Sequence, residues 1–356
     1  MSDERREIKD ELNETEPALT PLGTPPAPPI RARLGDTIHT SPELAVGEAD
    51  VRSAEHGAEI LTGTSLWKDA WRRLLKNKLA VFGLVVTSII LVASLVGPPI
   101  IKKATGFAYD TIPENVELNR AFPPFKDANH NFSWTHPMGT DDAGRDVLAR
   151  VLLGGRISLM VGIISTLVSL IIGVSYGATS GYLGGKIDDV MMRIVDVLFS
   201  LPYIMIVIVL LAFFGGRSPM GQLILLFIAL GAVSWLTMAR IVRGQVISLK
   251  NQEFVLAARA TGVSTTKIIF RHLVPNTLGP VIVYATLTIP SVMMQEAFLS
   301  FLGLGVQAPL ASWGSLAADG VRNIAIFPWQ LIFPGVTMAL ALFSLNFLGD
   351  GLRDAL

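Results

Sequence analysis

The chain contains no cysteine. Disulfides, thiolate nucleophiles and thiolate-bound metals are thereby excluded, while either side of a membrane remains open to it. Charge is scarce too. Asp, Glu, Lys and Arg make up 16% of the residues, against about 25% in an ordinary soluble domain. The two signs cancel, 29 against 29, so bulk charge offers nothing to nucleic acid. The start, MSDERREIKDELNETEPALT, has no apolar run behind its charges and is not read as a signal peptide. No GxxxxGK[ST] phosphate loop occurs, and GVSTTK at 262–267 carries a lone glycine. There is no HExxH and no Ser-His-Asp pattern, and the histidines at 39, 56, 130, 136 and 272 lack ligand spacing. The chain is therefore not expected to be an enzyme, to hold a metal or to bind a cofactor of its own.

What is abundant is hydrocarbon. Hydrophobic residues make up 51% of the 356, and mean hydropathy is +0.51. Six apolar segments are long enough to cross a hydrocarbon core of about 30 Å, which takes about 20 helical residues. They cover about 79–101, 157–180, 190–214, 220–238, 278–303 and 329–350. The expected fold is an all-α integral membrane protein with six transmembrane helices. Pro202, Pro290 and Pro334 fall inside spans, which predicts a packed bundle whose neighbours satisfy the freed carbonyls. Pro202, in FSLP, is expected to kink the third span. Gly181, Gly184 and Gly185 in GYLGGKIDD mark a turn between the second and third.

Residues 1–66 differ in kind. They hold 13 acidic and 6 basic residues and seven prolines, too polar to bury a core, and are read as a disordered cytoplasmic tail. Then comes SLWKDAWRRLLKNK. Trp67, Trp71, Leu74 and Leu75 recur at helical spacing with Lys68, Arg72, Arg73 and Lys76 between them. That pattern predicts a basic amphipathic helix lying in the membrane interface. Residues 67–156 thus comprise the interfacial helix, the first span and an extracellular loop, and 157–356 form the core.

Lys and Arg in short loops set orientation. Residues 67–78 carry five and 239–277 carry six, whereas the loops at 215–219 and 304–328 carry one each, Arg217 and Arg322. Six spans then place both termini and the 239–277 loop in the cytoplasm. The 102–156 loop also carries seven basic residues, but at about 55 residues it is long enough for the rule to weaken.

The 250–276 stretch is a polar, patterned interruption between two spans. EFVLAARATG reads as a helix closed by Gly262, and STTKIIFRHLVP as a second helix capped by Ser264 and ending at Pro275. Ala257, Ala258 and Ala260 give it a low surface that could enter a groove on another protein.

These residues resemble the EAA loop of ABC importer permeases. Glu253, Ala257, Ala258, Gly262 and the Val274-Pro275 end carry the likeness, with Gly262 thirteen residues before Pro275. The strict EAA triplet is absent, since FVL separates Glu253 from the alanines. HPMGTDDAGRDVLARVLLGGRISLMVG (136–162) and EAFLSFLGLGVQAPLASWG (296–314) resemble the C-type permease subunits of dipeptide, oligopeptide and nickel importers. The resemblance implies a type I importer permease in the inner or plasma membrane. It implies coupling to ATP-binding subunits through Glu253, Ala257, Ala258, Arg259, Gly262 and Pro275. It implies as partners a homologous B-type permease, two ATP-binding subunits carrying ATP and Mg, an extracellular solute-binding protein and a peptide substrate.

Polar residues within spans are candidates for the path or gate. They are Asp196, Gln295, Glu296 and Asn346, with Asp350 behind them. The structural alternatives are an ion pair with Arg193 for Asp196 and an interhelical hydrogen bond for Glu296. Thr140, Asp141, Asp142, Arg145 and Asp146 lead into the second span. Thr140 is expected at the N-cap of an amphipathic entry helix before that span and Arg145 as a bridge between carboxylates, with contact to a binding protein as a further reading. Gly154 and Gly155 are expected to let helices approach closely. Two other function classes compete, an ion-coupled secondary transporter, which would show inverted repeats, and a non-transporting membrane scaffold.

Overall fold

The computed structural model describes residues 66–112, 121–126, 131–215 and 218–356. The expected tail lies outside them except for Leu66, as do Arg120 and Arg217. Among the described residues eleven helices follow in order: α1 (Leu66–Lys76), α2 (Lys78–Thr105), α3 (Val147–Leu183), α4 (Gly185–Ser200), α5 (Tyr203–Phe214), α6 (Pro219–Leu249), α7 (Glu253–Ala260), α8 (265–276), α9 (Leu278–Phe301), α10 (Trp313–Arg322) and α11 (Trp329–Ala355). α2, α3, α6, α9 and α11 are each long and apolar enough to cross a membrane. Among the described residues the only bridges are two isolated ones, Lys126 with Phe132 and Thr140 with Asp146.

Helix starts follow side-chain chemistry. The Asn77 amide oxygen accepts from the backbone N–H groups of Leu79 and Ala80, starting α2. The Asp146 carboxylate accepts from Ala149 N–H at 2.8 Å and caps α3. The expected cap, Thr140, lies in the preceding turn, and α3 begins at Val147, joining the expected entry helix and the apolar segment from 157 in one helix. Its first turns carry Arg150 and Arg156, which dilute the hydropathy signal that marks a span.

The expected third span is not one helix. α4 and α5 meet at Leu201–Pro202 with a bend of 80°. Leu201 is extended (φ −78°, ψ 141°), as the residue before proline prefers. Packing shows that this pair nevertheless crosses. Ser165 on α3 donates its hydroxyl to Phe227 O on α6, Gly173 lies against Trp235 and Met238, and Gly181 against Arg243 and Val246. Both sequences advance together, so α3 and α6 run parallel, side by side. The chain between them must return across the same thickness, and only α4–α5 can do so.

The close approach of α3 and α6 rests on Gly173, Gly177 and Gly181, a Gly-xxx-Gly-xxx-Gly stripe. A Cβ at Gly177 would stand 3.0 Å from the backbone C and Cα of Ala239. Without water to drive helices together inside a membrane, such small-residue contact is what allows dense packing. Gly154 and Gly155 act likewise: a Cβ at Gly155 would come within 2.6 Å of the Trp313 ring, and Trp313 is fully buried.

α1 is amphipathic, with a division of labour between faces. Ala70 and Leu74 are buried against Ala80 and Ala355. Trp71 and Leu75 are exposed. On α2, Val85, Ile89, Val92 and Val96 form an exposed apolar face, the surface a lipid-facing helix presents.

Candidate functional site

α7 lies where the C-terminal end of α3 meets α6 and α8. Val255, wholly buried, and Ala258, 8% exposed, point into a cluster with Val174 and Ala178 of α3, Val242 and Val246 of α6, and Ile268, Ile269 and Leu273 of α8. Glu253, Phe254, Leu256, Ala257, Arg259 and Ala260 are exposed. The helix ends as its glycine dictates. Gly262 sits at φ 75°, and Val263 N–H donates back to Ala258 O at 3.1 Å, a six-to-one closure of the kind a left-handed residue permits. Ser264 occupies the N-cap of α8 in backbone terms but makes no capping bond with its side chain. α8 is not a plain α-helix: Ile268–Leu273 is π-helical. The wider turn aligns Ile268, Ile269 and Leu273 inward together, and π segments often mark functional positions. Arg259 folds back on the end of α3, its guanidinium 4.9 Å from the Tyr182 ring centroid and its Nε donating to the Tyr182 hydroxyl at 3.2 Å.

A cleft of about 350 Å³ opens between α4–α5, α6 and α9. From α9 it takes Tyr284, Leu287, Thr288, Ser291 and Gln295, one helical face. From α6 it takes Ser234 and Thr237, and from the α4–α5 bend Phe199, Leu201 and Tyr203. Among the described residues no charged side chain lines it. The hydroxyls of Ser234, Thr288 and Ser291 donate to Leu230 O, Tyr284 O and Leu287 O in their own helices. Each leaves lone pairs available, and Gln295 adds an amide. The cleft is thus a neutral stripe of acceptors and apolar contacts. At its edge Arg240 lies 4.3 Å over the Phe199 ring and pairs with Asp196 at 2.7 Å.

The segment before α3 is a closed knot. Asp141 receives Arg145 Nε at 2.8 Å and the Arg150 guanidinium. Asp146 meets His136 Nδ1 at 3.0 Å. Asp142 accepts from Asn323 and Gln330, and Thr140 O accepts from the Trp329 indole at 3.1 Å. The knot and α7 stand at opposite ends of α3, whose 37 residues span about 55 Å.

Comparison with known proteins decides the family. Residues 157–356 match the family described as "Binding-protein-dependent transport system inner membrane component", and 65–124 match the "N-terminal TM domain of oligopeptide transport permease C". The chain belongs to this family of transport permeases. It is similar to the oligopeptide transport system permease protein OppC of Haemophilus influenzae, with 47% identity over 83% of this chain and 89% of that one. The oligopeptide permease OppC of Escherichia coli is 49% identical over 83% and 91%. The dipeptide transport system permease protein DppC of Bacillus subtilis is 44% identical over 82% and 85%.

In this permease several residues singled out in the sequence stand elsewhere than expected. Ala258 faces the core and offers no surface to a partner. Pro275 is exposed, but it lies beside Asp69 and Arg73 of α1 and the C-terminal Leu356, and α8 continues past it to Asn276. Asp196 pairs with Arg240, 44 residues away, and not with Arg193. Of the four path candidates only Gln295 lines the cleft. Glu296, 1% exposed, turns to the other side of α9. There one carboxylate oxygen accepts from Ser300 at 2.7 Å and Ser312 at 2.6 Å, which ties α9 to the start of α10. Asn346 and Asp350 lie on the exposed stripe of α11, which is apolar at Ile332, Val336, Leu340 and Phe343 before it turns polar. Arg145 grips one carboxylate, Asp141, and does not bridge two. The cleft hydroxyls of Ser234, Thr237, Thr288 and Ser291 were missed; their helical spacing within apolar spans was the available signal.

Proposed function

We propose that this multi-pass permease is one of two membrane subunits of an ATP-driven importer of peptides in the inner or plasma membrane. The partners in this reading are a homologous B-type permease, two subunits that bind ATP and Mg, and an extracellular solute-binding protein. Both termini and α7 face the cytoplasm, which agrees with six crossings and with the cations of the 239–277 loop. The knot before α3 then faces outward.

The observation that carries the reading is the anchoring of α7. A helix meant to transmit force must present a contact surface and yet be stiffly joined to what it moves. Val255 and Ala258 fix α7 in a core shared with α3, α6 and α8. Its other face, Glu253, Leu256, Ala257 and Ala260, is open and low. A cleft on an ATP-binding subunit that closes over this face would tilt α3 and α6 with it. That converts nucleotide-driven closure into a choice between two bundle arrangements, which requires differential contact free energy in the two states. The neutral cleft fits a peptide path, because main-chain amides are common to all peptides and the acceptors here do not select side chains.

The test uses the assembled complex in liposomes. Ala257→Arg, on the open face, is expected to leave the permease folded in the membrane while ATP-binding subunits no longer co-purify and ATP-dependent peptide uptake falls at least tenfold. Wild-type uptake by this variant, or uptake driven by an ion gradient without ATP, would overturn the reading.

A further inference from the structure

Three large aromatic side chains stand uncovered at the end of the bundle that carries the knot. Phe132 and Trp134 are each 70% exposed, and Phe125 is exposed beside them. They touch one another. Phe125 stacks on Phe132 with ring centroids 5.9 Å apart, and Trp134 meets both rings edge-on, at 5.3 and 5.6 Å. Phe125 holds φ 58°, a region that bulky residues rarely adopt. A backbone cost is thus accepted to gather apolar rings outside the core. Exposed clusters of this kind mark a surface that meets protein or membrane.

Two contacts fix the height of the cluster. Residues 121–126 and 131–136 run antiparallel, joined at Lys126 and Phe132 and by Phe125 N–H to His136 O at 3.1 Å. The His136 ring lies 4.9 Å from that of Phe107, which follows the end of α2 at Thr105. At the other root Phe122 N–H donates to the Thr140 hydroxyl at 2.7 Å, and Thr140 O takes the indole of Trp329, the first residue of α11. Both roots therefore sit on the ends of helices long and apolar enough to cross a membrane. The apolar run of α2 stops at Ile101, and Lys102 and Lys103 follow, as at the edge of the hydrocarbon. Phe107 lies about 9 Å beyond Ile101 at helical rise, and a headgroup layer is about 5–8 Å deep. α2 exposes Val85, Ile89, Val92 and Val96, so the lipid it faces lies next to this loop. The described residues of the two segments carry an exposed lysine, Lys126, and no carboxylate. Aromatic rings with a cation and no acid match the chemistry of the membrane interface.

We infer that Phe125, Phe132 and Trp134 insert as a unit into the phospholipid headgroup layer beside α2 and hold the first span at its depth. This requires α2 and α11 to cross the membrane and is independent of what the permease carries or what drives it. Burying three rings draws on the large apolar area that aromatic side chains offer, and the contacts at Phe107 and Trp329 pass that anchoring to α2 and α11.

The experiment uses the full-length permease, with any subunits that purify with it, in lipid nanodiscs and without a solute-binding protein. Because the chain has no cysteine, Phe132→Cys can carry a single environment-sensitive fluorophore. Its emission should be blue-shifted from that of the same fluorophore in water. Nitroxide placed on the phospholipid headgroup should quench it at least about threefold more than a water-soluble nitroxide does, because the ring position lies among headgroups. Trp134→Cys, labelled in the same way, should behave alike, and both positions are exposed enough for the variants to fold. Stronger quenching by the water-soluble nitroxide would overturn the inference, since the rings would then face solvent. A blue-shifted emission that lipid nitroxide does not quench would overturn it too, since protein would then cover the rings. Lipid quenching at one position and not the other would refute insertion as a unit.

Discussion

The parallel contact of α3 and α6 makes a quantitative demand on Gly177. An added methyl there meets the backbone of Ala239, its carbonyl oxygen nearest of all and its C and Cα at 3.0 Å. Backbone cannot swing aside as a side-chain tip can. Carbon contacts relax at about 3.5–4.0 Å, so the helices must part locally by roughly half an ångström to one ångström. Overpacking of this kind costs about 1–3 kcal/mol, and a rigid wall puts Gly177→Ala at the upper end. The helix-propensity gain of alanine, about 1 kcal/mol, offsets part, leaving about 2 kcal/mol. At about 2–4 °C per kcal/mol, thermal unfolding in detergent should occur about 4–8 °C lower. Gly244→Ala is the matched control: it lies on α6, is exposed, and its Cβ would meet nothing within 4 Å. It should leave unfolding unchanged or raise it slightly. Equal behaviour of the two variants would refute the packing argument and the sixth crossing deduced from it.

Other expectations follow from single contacts. Arg243 Nε and Nη2 reach the two Asp188 oxygens, both at 2.6 Å, and Asp188 also takes the Ser180 hydroxyl. Arg243→Met should cost about 3 kcal/mol by stranding that carboxylate, and adding Asp188→Asn should recover much of it in a double-mutant cycle. The exposed Arg240–Asp196 pair should contribute under about 1 kcal/mol, measured the same way. Glu296→Gln keeps an acceptor for Ser300 and Ser312 and should retain uptake, whereas Glu296→Ala should lower stability by about 3 kcal/mol; abolished uptake in a stable Glu296→Gln protein would restore the gate reading. Gly262→Val forces a β-branched residue to φ 75° and should cost about 1–2 kcal/mol, seen as faster proteolysis at α7.

The long spans were legible because lipid demands unbroken apolar length, and Pro202 marked the one that breaks. What escaped was set by partners distant in sequence. Arg193 was the near choice for Asp196, but the fold supplies Arg240 from α6. Thr140 read as a cap, yet its carbonyl and hydroxyl serve Trp329 and Phe122, leaving Asp146 to start α3. Ala257 and Ala258 are indistinguishable in sequence, and only the register of α7 sends one outward and the other inward. For Glu296 the sequence left a path role and an interhelical hydrogen bond both open; two hydroxyls, one brought from α10, supply the bond. The Gly-xxx-Gly-xxx-Gly stripe stands in the sequence and marks the face by which α3 meets α6.

Two neighbouring helices that point the same way also stack their peptide dipoles, so each presents about half a negative charge at one shared end. Carbonyl oxygens accumulate there without helix partners. Lys250 Nζ donates to Gly181 O at 3.1 Å, and Arg259 closes over the neighbouring Tyr182. In the proposed orientation, the cations that would bias this end toward the cytoplasm are therefore also counter-ions to the bundle's own backbone. A lysine lost here would be felt twice, once when the chain chooses its direction of insertion and again in every folded molecule afterwards.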